Sequence, residues 1–202
     1  QKEDPDLGLS APFPITKASF LRKVTRDLTG QTGLKQYRRL ISSAFSGKTD
    51  EERLRSGWLR LGPNLLINTF FLSAFSILSA WYLYFFLWFL PSLTWYRFVV
   101  RLRNIAEHAS VESNDDRLKN TRTTKANLIE RAFIAPYNVH YHLEHHLVVN
   151  CPQYNLPIAH QMLVDKGYLP RMEVQSGYPA VLRLAVSSVS YTHLTLPTKR
   201  SV

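Results

Sequence analysis

The sequence predicts an all-α membrane protein in which a transmembrane helical hairpin carries a cytoplasmic helical cap. Three observations lead there. Between Arg60 and Arg97 lie 36 residues with no Asp, Glu, Lys, Arg or His. Arginines bracket that run, with Arg53, Arg55 and Arg60 before it and Arg97, Arg101 and Arg103 after it. Beyond it, four of the chain's seven histidines crowd into Asn138–His146.

The uncharged run is too long for one crossing. As a single helix it would extend about 54 Å at 1.5 Å per residue, against a hydrocarbon core of roughly 30 Å. Two helices of about 18 residues each, turning near Ser79–Ala80, fit the bilayer better. Basic residues at both ends place both ends in the cytoplasm, which requires an even number of crossings. Trp81, Trp88, Trp95 and several tyrosines are candidate interface anchors. The alternative is a hairpin buried in a large soluble core. Net charge is +10, from 25 Lys and Arg against 15 Asp and Glu. Such a balance suits nucleic acid or the cytoplasmic face of a membrane, and the uncharged run decides for the membrane. No nucleic-acid partner is expected. The single cysteine, Cys151, excludes an internal disulfide framework. Gln1 is not an initiator methionine and no signal peptide is apparent, so the chain is expected to be a piece of a longer protein.

Taken in order, residues 1–15 are rich in proline, glycine and acidic side chains and read as irregular. From Thr16, Phe20, Leu21, Val24 and Leu28 recur at helical spacing with basic residues between them, up to Gly30. A second amphipathic helix follows Gly33 and ends at Gly47. Both suit a membrane surface or a partner groove, and equally suit packing on a neighbouring domain. The second crossing is expected to continue through Arg101 to His108, which sets Asn104 and His108 at i, i+4 on one face. An acidic loop, Ser110–Asp116, and a basic stretch, Arg117–Lys125, come next. A short helix over Ala126–Phe133 is ended by Pro136. A helix carrying the histidines is expected to run to about Val149, and a last one, capped by Asn155, over Pro157–Lys166 to Gly167. His160 falls in that last helix, in a surface or supporting role. The expected regions are 1–56, the amphipathic helices; 57–103, the hairpin; 104–186, the histidine region; and 187–202, a tail that fits nothing before it.

Within Asn138-Val-His-Tyr-His-Leu-Glu-His-His146, a helix stands His142, His145 and His146 at i, i+3 and i+4. Three imidazoles then share a face, with Asn138 one turn earlier and His140 pointing away. Neutral imidazoles converging in this way form a cation site, so the cap is expected to bind metal. The plainer alternative is a polar helix with surface histidines.

With Asn104-Ile-Ala-Glu-His108 and His142-Leu-Glu-His-His146 together, the chain resembles the membrane fatty acid desaturase family. Its third histidine box has the form H-x-x-H-H, and Tyr154-Asn-Leu-Pro157 with His160 follows as in bacterial members. Asp4-Pro-Asp6-Leu7 resembles the segment after the family's second box. The first two boxes are absent, so the resemblance is to a C-terminal portion, covering roughly residues 1–170. It implies a two-iron centre with His108, His142, His145 and His146 as ligands and Asn104 near the metal through water. Glu107, Glu144 and Asn138 are the expected supporting residues. It also implies O2 as co-substrate and an acyl-lipid, acyl-CoA or acyl-carrier substrate. Electrons would come from a ferredoxin-like or cytochrome-b5-like donor, since no flavin, haem or iron–sulfur motif is visible. A multi-pass protein of the bacterial inner membrane, with its metal on the cytoplasmic side, follows. Two alternatives stay open: a related hydroxylase or ketolase acting on an alkane, sphingoid or carotenoid, and a membrane zinc hydrolase with Glu144 as base. The latter would favour H-E-x-x-H, whereas the box here is H-L-E-H-H. Ser187–Val202 resembles translated vector sequence, so His193 is excluded from the site.

The charge pattern generates a topology prediction. In a Cys151→Ser background, single cysteines at Lys48 and Glu112 should be equally accessible to an impermeant thiol reagent in intact cells. Labelling of one position and not the other contradicts the two-crossing hairpin.

Overall fold

The computed structural model describes residues 13–111 and 116–187. The Asp4–Leu7 segment, Glu112 with the middle of the acidic loop, and the tail from residue 188 onward, His193 included, lie outside the described residues. The chain is mostly helical. It divides into two units, one of residues 22–98 and one of residues 1–21 with 99–202.

The first unit is built on long helices. α1 (Lys17–Leu28) stops before Gly30, whose φ of 79° reverses the chain at a position few other residues tolerate. α2 (Gln31–Ala44) starts directly there, three residues ahead of the expected boundary, and takes Gly33 into its first turn. Glycine is required at that point by close approach: a Cβ on Gly33 would lie 2.4 Å from the Leu93 carbonyl oxygen. α3 (Asp50–Ile77) opens on a reciprocal cap. The Glu52 N–H donates to the Thr49 hydroxyl at 3.2 Å, and the Thr49 N–H donates back to the Glu52 carboxylate at 3.3 Å. The acidic first turn also complements the positive end of the helix dipole.

α3 ends at Ile77, and α4 (Trp81–His108) begins after a three-residue break in which Ser79 has a φ of 56°. The turn therefore falls where the length argument puts it. The two arms are joined by a polar contact within an apolar surface: Asn68 Oδ1 accepts from the Tyr84 hydroxyl at 2.8 Å and from Trp88 Nε1 at 3.1 Å. Phe71 packs on Trp88 beside it, with ring centroids 4.6 Å apart. α4 is not regular throughout. Tyr84–Phe89 forms a π-helical turn, and Thr94, at φ −114° and ψ −87°, departs from helical backbone before Trp95, although its N–H still donates to the Leu90 carbonyl at 3.1 Å. Among the described residues, α4 is the one helix long and apolar enough to cross a membrane, and only 6% of its most apolar stretch is buried, unlike a soluble core helix. α3 carries Gly62, Pro63, Asn64 and Asn68, which dilute its apolar character.

The second unit holds the histidine region. Ile105, Ala106 and Ala109 at the end of α4 pack with Ala135, Tyr178, Val181 and Ala185. Small residues predominate, so backbones approach closely. α5 (Leu128–Phe133) starts on a second reciprocal cap, between Asn127 and Glu130. α6 (His142–Leu147) is much shorter than the expected histidine helix. Tyr137 and Asn138 both have φ near 58°, so helical backbone cannot reach back through them. α7 (Leu156–Asp165) closes at Gly167, as expected, but Asn155 makes no side-chain cap bond and instead ends a 3₁₀ turn. α8 (Tyr178–Ala185) has no counterpart among the expected elements. Two parallel strand pairs are also present. β1 (Ile15–Thr16) pairs with β4 (Val186–Ser187), and β2 (Thr123–Thr124) pairs with β3 (Val174–Gln175). Thr123 also bridges Tyr141 in antiparallel fashion. At two residues each, these strands are too short for period-two alternation to register in sequence.

The Gly33 contact gives a direct test of the first unit. Gly33→Ala should destabilise the protein by about 1–3 kcal/mol, because the new methyl forces α2 away from Leu93. Thermal unfolding in detergent measures it, and an unchanged midpoint contradicts the close approach.

Candidate metal centre

His108 is the last residue of α4, while His142 and His146 sit one turn apart on α6. The fold brings these three together. His142 Nε2 lies 3.1 Å from His108 Nε2 and 3.0 Å from His146 Nε2. All three ligating atoms lie within 4.8 Å of one another, with His108 and His142 buried and His146 half-buried. The rings meet edge to face, at interplanar angles of 87° for His108 with His142 and 60° for His142 with His146. Burial, reinforced by the His108 and His146 rings, pushes His142 down to about 2. Its imidazole is therefore neutral at physiological pH and offers a lone pair.

The donor set fits a cation. Two nitrogens about 2.1 Å from one ion and at right angles to each other lie about 3 Å apart. The two separations from His142 Nε2, 3.1 and 3.0 Å, match that spacing. All three donors are imidazoles, which suit iron, zinc, copper or nickel. A carboxylate stands behind the cluster: Glu107 Oε1 is 4.0 Å from His142 Nδ1 and also accepts from Arg103 Nη2 at 3.3 Å. An anion on that side favours the tautomer with hydrogen on Nδ1, leaving Nε2 to face the cluster.

The other expected residues are placed differently. His145 is exposed, with its ring centroid 5.9 Å from that of His142, and lies outside the three-nitrogen group. Asn104 is half-buried one turn before His108 on α4. Asn138 lies outside α6, and its side-chain nitrogen donates to the Gln153 carbonyl at 3.2 Å. His140 is buried beside the Tyr141 ring, and burial, with Arg131 nearby, pushes it down to about 4.

Glu144 is fully buried, and both of its carboxylate oxygens are engaged away from the box imidazoles. The Thr123 hydroxyl donates to Oε2, and His160 Nδ1 lies 2.6 Å from Oε1. The histidine of α7 thus holds the carboxylate of α6. Spacing alone does not reveal this, because His160 and Glu144 are sixteen residues apart across a loop. Thr123 carried no sequence signal at all.

The profile of the fatty acid desaturase family matches residues 1–175. Dihydrorhizobitoxine desaturase of Bradyrhizobium elkanii is 27% identical over 182 residues, covering 83% of this chain and 50% of that protein. The chain thus spans half the length of this curated relative. No solved structure matches.

His160→Phe preserves ring volume on α7 but removes one of the two partners of a buried carboxylate. It should cost about 1–3 kcal/mol of stability. Denaturant unfolding in detergent reads the loss, and a parent-like midpoint contradicts a stabilising role for the pair.

Proposed function

The chain belongs to the fatty acid desaturase family, and from that premise we propose that it is the C-terminal part of a membrane di-iron enzyme that introduces a double bond into an acyl chain. The convergence of His108, His142 and His146 from two separate elements carries this reading. The reaction removes two hydrogens from adjacent methylenes and, with O2, two electrons and two protons, releases two waters. A two-iron centre supplies, when bound, the oxidising power that no acid or base side chain provides.

The chain's own residues then have defined tasks. His108, His142 and His146 hold metal through their ε nitrogens, and Glu107 keeps His142 in the required tautomer. His145, and Asn104 through water, complete this chain's share of the ligand set. The family premise brings a lipid substrate and membrane association. In this reading both arms of the hairpin cross the bilayer, and exposed apolar side chains on each support that, with Phe70 68% and Leu87 64% accessible. The metal site then lies on the cytoplasmic side, in a bacterial inner membrane. The excess of basic residues suits an acidic, ferredoxin-like or cytochrome-b5-like electron donor.

Two observations weigh against the alternatives. The relative is named a desaturase, which favours double-bond formation over hydroxylation or ketolation. Glu144 has both carboxylate oxygens engaged by Thr123 and His160, which disfavours it as the base of a zinc hydrolase.

In the complete enzyme, His108→Ala, His142→Ala, His145→Ala and His146→Ala should each abolish product while the protein still inserts into the membrane. Asn104→Ala should be damaging but leaky, and His140→Ala milder than the box variants. Gas chromatography of acyl products, alongside metal quantification, is the test. Full activity in His142→Ala, or stoichiometric zinc with no iron requirement, contradicts the reading.

A further inference from the structure

α6 has only six residues, too few to hold its own orientation, so the spacing of His142 and His146 from His108 must be set from outside it. One buried segment, Thr121–Thr124, which ends in β2, touches both carriers of the cluster. At the α4 end, Arg122 is 1% exposed and spends its guanidinium on the helix terminus. Nη1 donates to the Ala106 carbonyl at 3.3 Å and Nη2 to the Ser110 carbonyl at 3.2 Å. The Arg122 backbone N–H donates to the Glu107 carbonyl at 3.1 Å. These partners flank His108 on either side. A cation at a helix C-terminus is also favoured by the dipole, and Glu173 Oε1, 3.1 Å from Nε, offsets the buried charge.

At the α6 end, the next residue does the corresponding work. Thr123 is fully buried, bridges Tyr141 just before α6, and donates its hydroxyl to the buried Glu144 in the middle of the helix. The Thr124 N–H donates to the His140 carbonyl at 2.9 Å. Two adjacent side chains, Arg122 just before β2 and Thr123 within it, thus grip the two elements that carry the cluster.

We propose that Arg122 and Thr123 are the positioning residues of the histidine centre, fixing His108 against His142 and His146 at ligating distance. The proposal rests on the reading of those three histidines as metal ligands. Neither residue touches the metal-facing nitrogens; both act through the backbone and through Glu144.

The test uses the complete protein in detergent, stripped of metal and titrated with Co2+. Thr123→Val keeps the shape and removes the hydroxyl, whereas Thr123→Ser keeps the hydroxyl. Thr123→Val should weaken Co2+ binding about 10- to 100-fold and alter its visible ligand-field spectrum, and Thr123→Ser should restore both. Arg122→Lys keeps the charge but loses the planar fork, and should weaken Co2+ similarly. Unchanged Co2+ affinity and spectrum in Thr123→Val overturns the proposal. So does a loss of thermal stability with an unaltered spectrum, since a merely structural role would give that result. His142→Ala distinguishes loss of the metal site from loss of its positioning. Parent-like Co2+ binding in His142→Ala defeats the metal reading itself, while lost binding there beside unchanged Thr123→Val defeats only the positioning. If Thr123→Val does not accumulate as folded protein, Glu144→Gln takes its place: weakened Co2+ binding supports the proposal, and parent-like binding overturns it.

Discussion

A six-residue helix cannot stand on its own backbone bonds, and the arrangement around the histidine cluster follows from that constraint. Leu143 on one side of α6 is fully buried against Leu118 and Met172, which supplies apolar anchoring. Glu144, the next residue, is equally buried and tied to Thr123 and His160, which supplies direction. Apolar packing alone would leave the helix free to rotate by small angles. A buried carboxylate with two specific partners does not, because misalignment strands a desolvated charge. With rotation fixed, His142 and His146 are left on the face that meets His108.

The cluster itself works against the protein's stability. With hydrogen on Nδ1, imidazole nitrogens packed this closely aim their lone pairs at one another and repel, while burial holds His142 neutral. Such an arrangement is stable in an interior only when the surroundings over-determine it. The anchoring around it does so twice, through the capped end of α4 and through the α6–α7 carboxylate pair. Sites that keep functional groups in an unfavourable arrangement characteristically sit on this kind of frame.

Some of this was legible in the sequence, for physical reasons that differ by residue. His142 and His146 were legible because a spacing of four reports one helix face even when the helix is short. His108 was legible through its i, i+4 spacing from Asn104 and through the family resemblance, on a helix that continues past the uncharged run. Asn138 was misplaced because nothing local announces that Tyr137 and Asn138 take left-handed backbone; neither is glycine. Arg122 read as one more residue in a basic loop, since the burial of a charge depends on partners such as Glu173 that lie far away in sequence. The position of the break near Ser79 was legible from the length of the uncharged run, whereas the π-helical turn in α4 and the two-residue strands leave no periodic trace.

Iron K-edge X-ray absorption on the purified complete protein tests the central claim most directly. The expected first shell is dominated by nitrogen with the multiple-scattering pattern of imidazole, diminished in the His108→Ala variant. A shell of oxygen or sulfur donors, or a spectrum unchanged by His108→Ala, would contradict it.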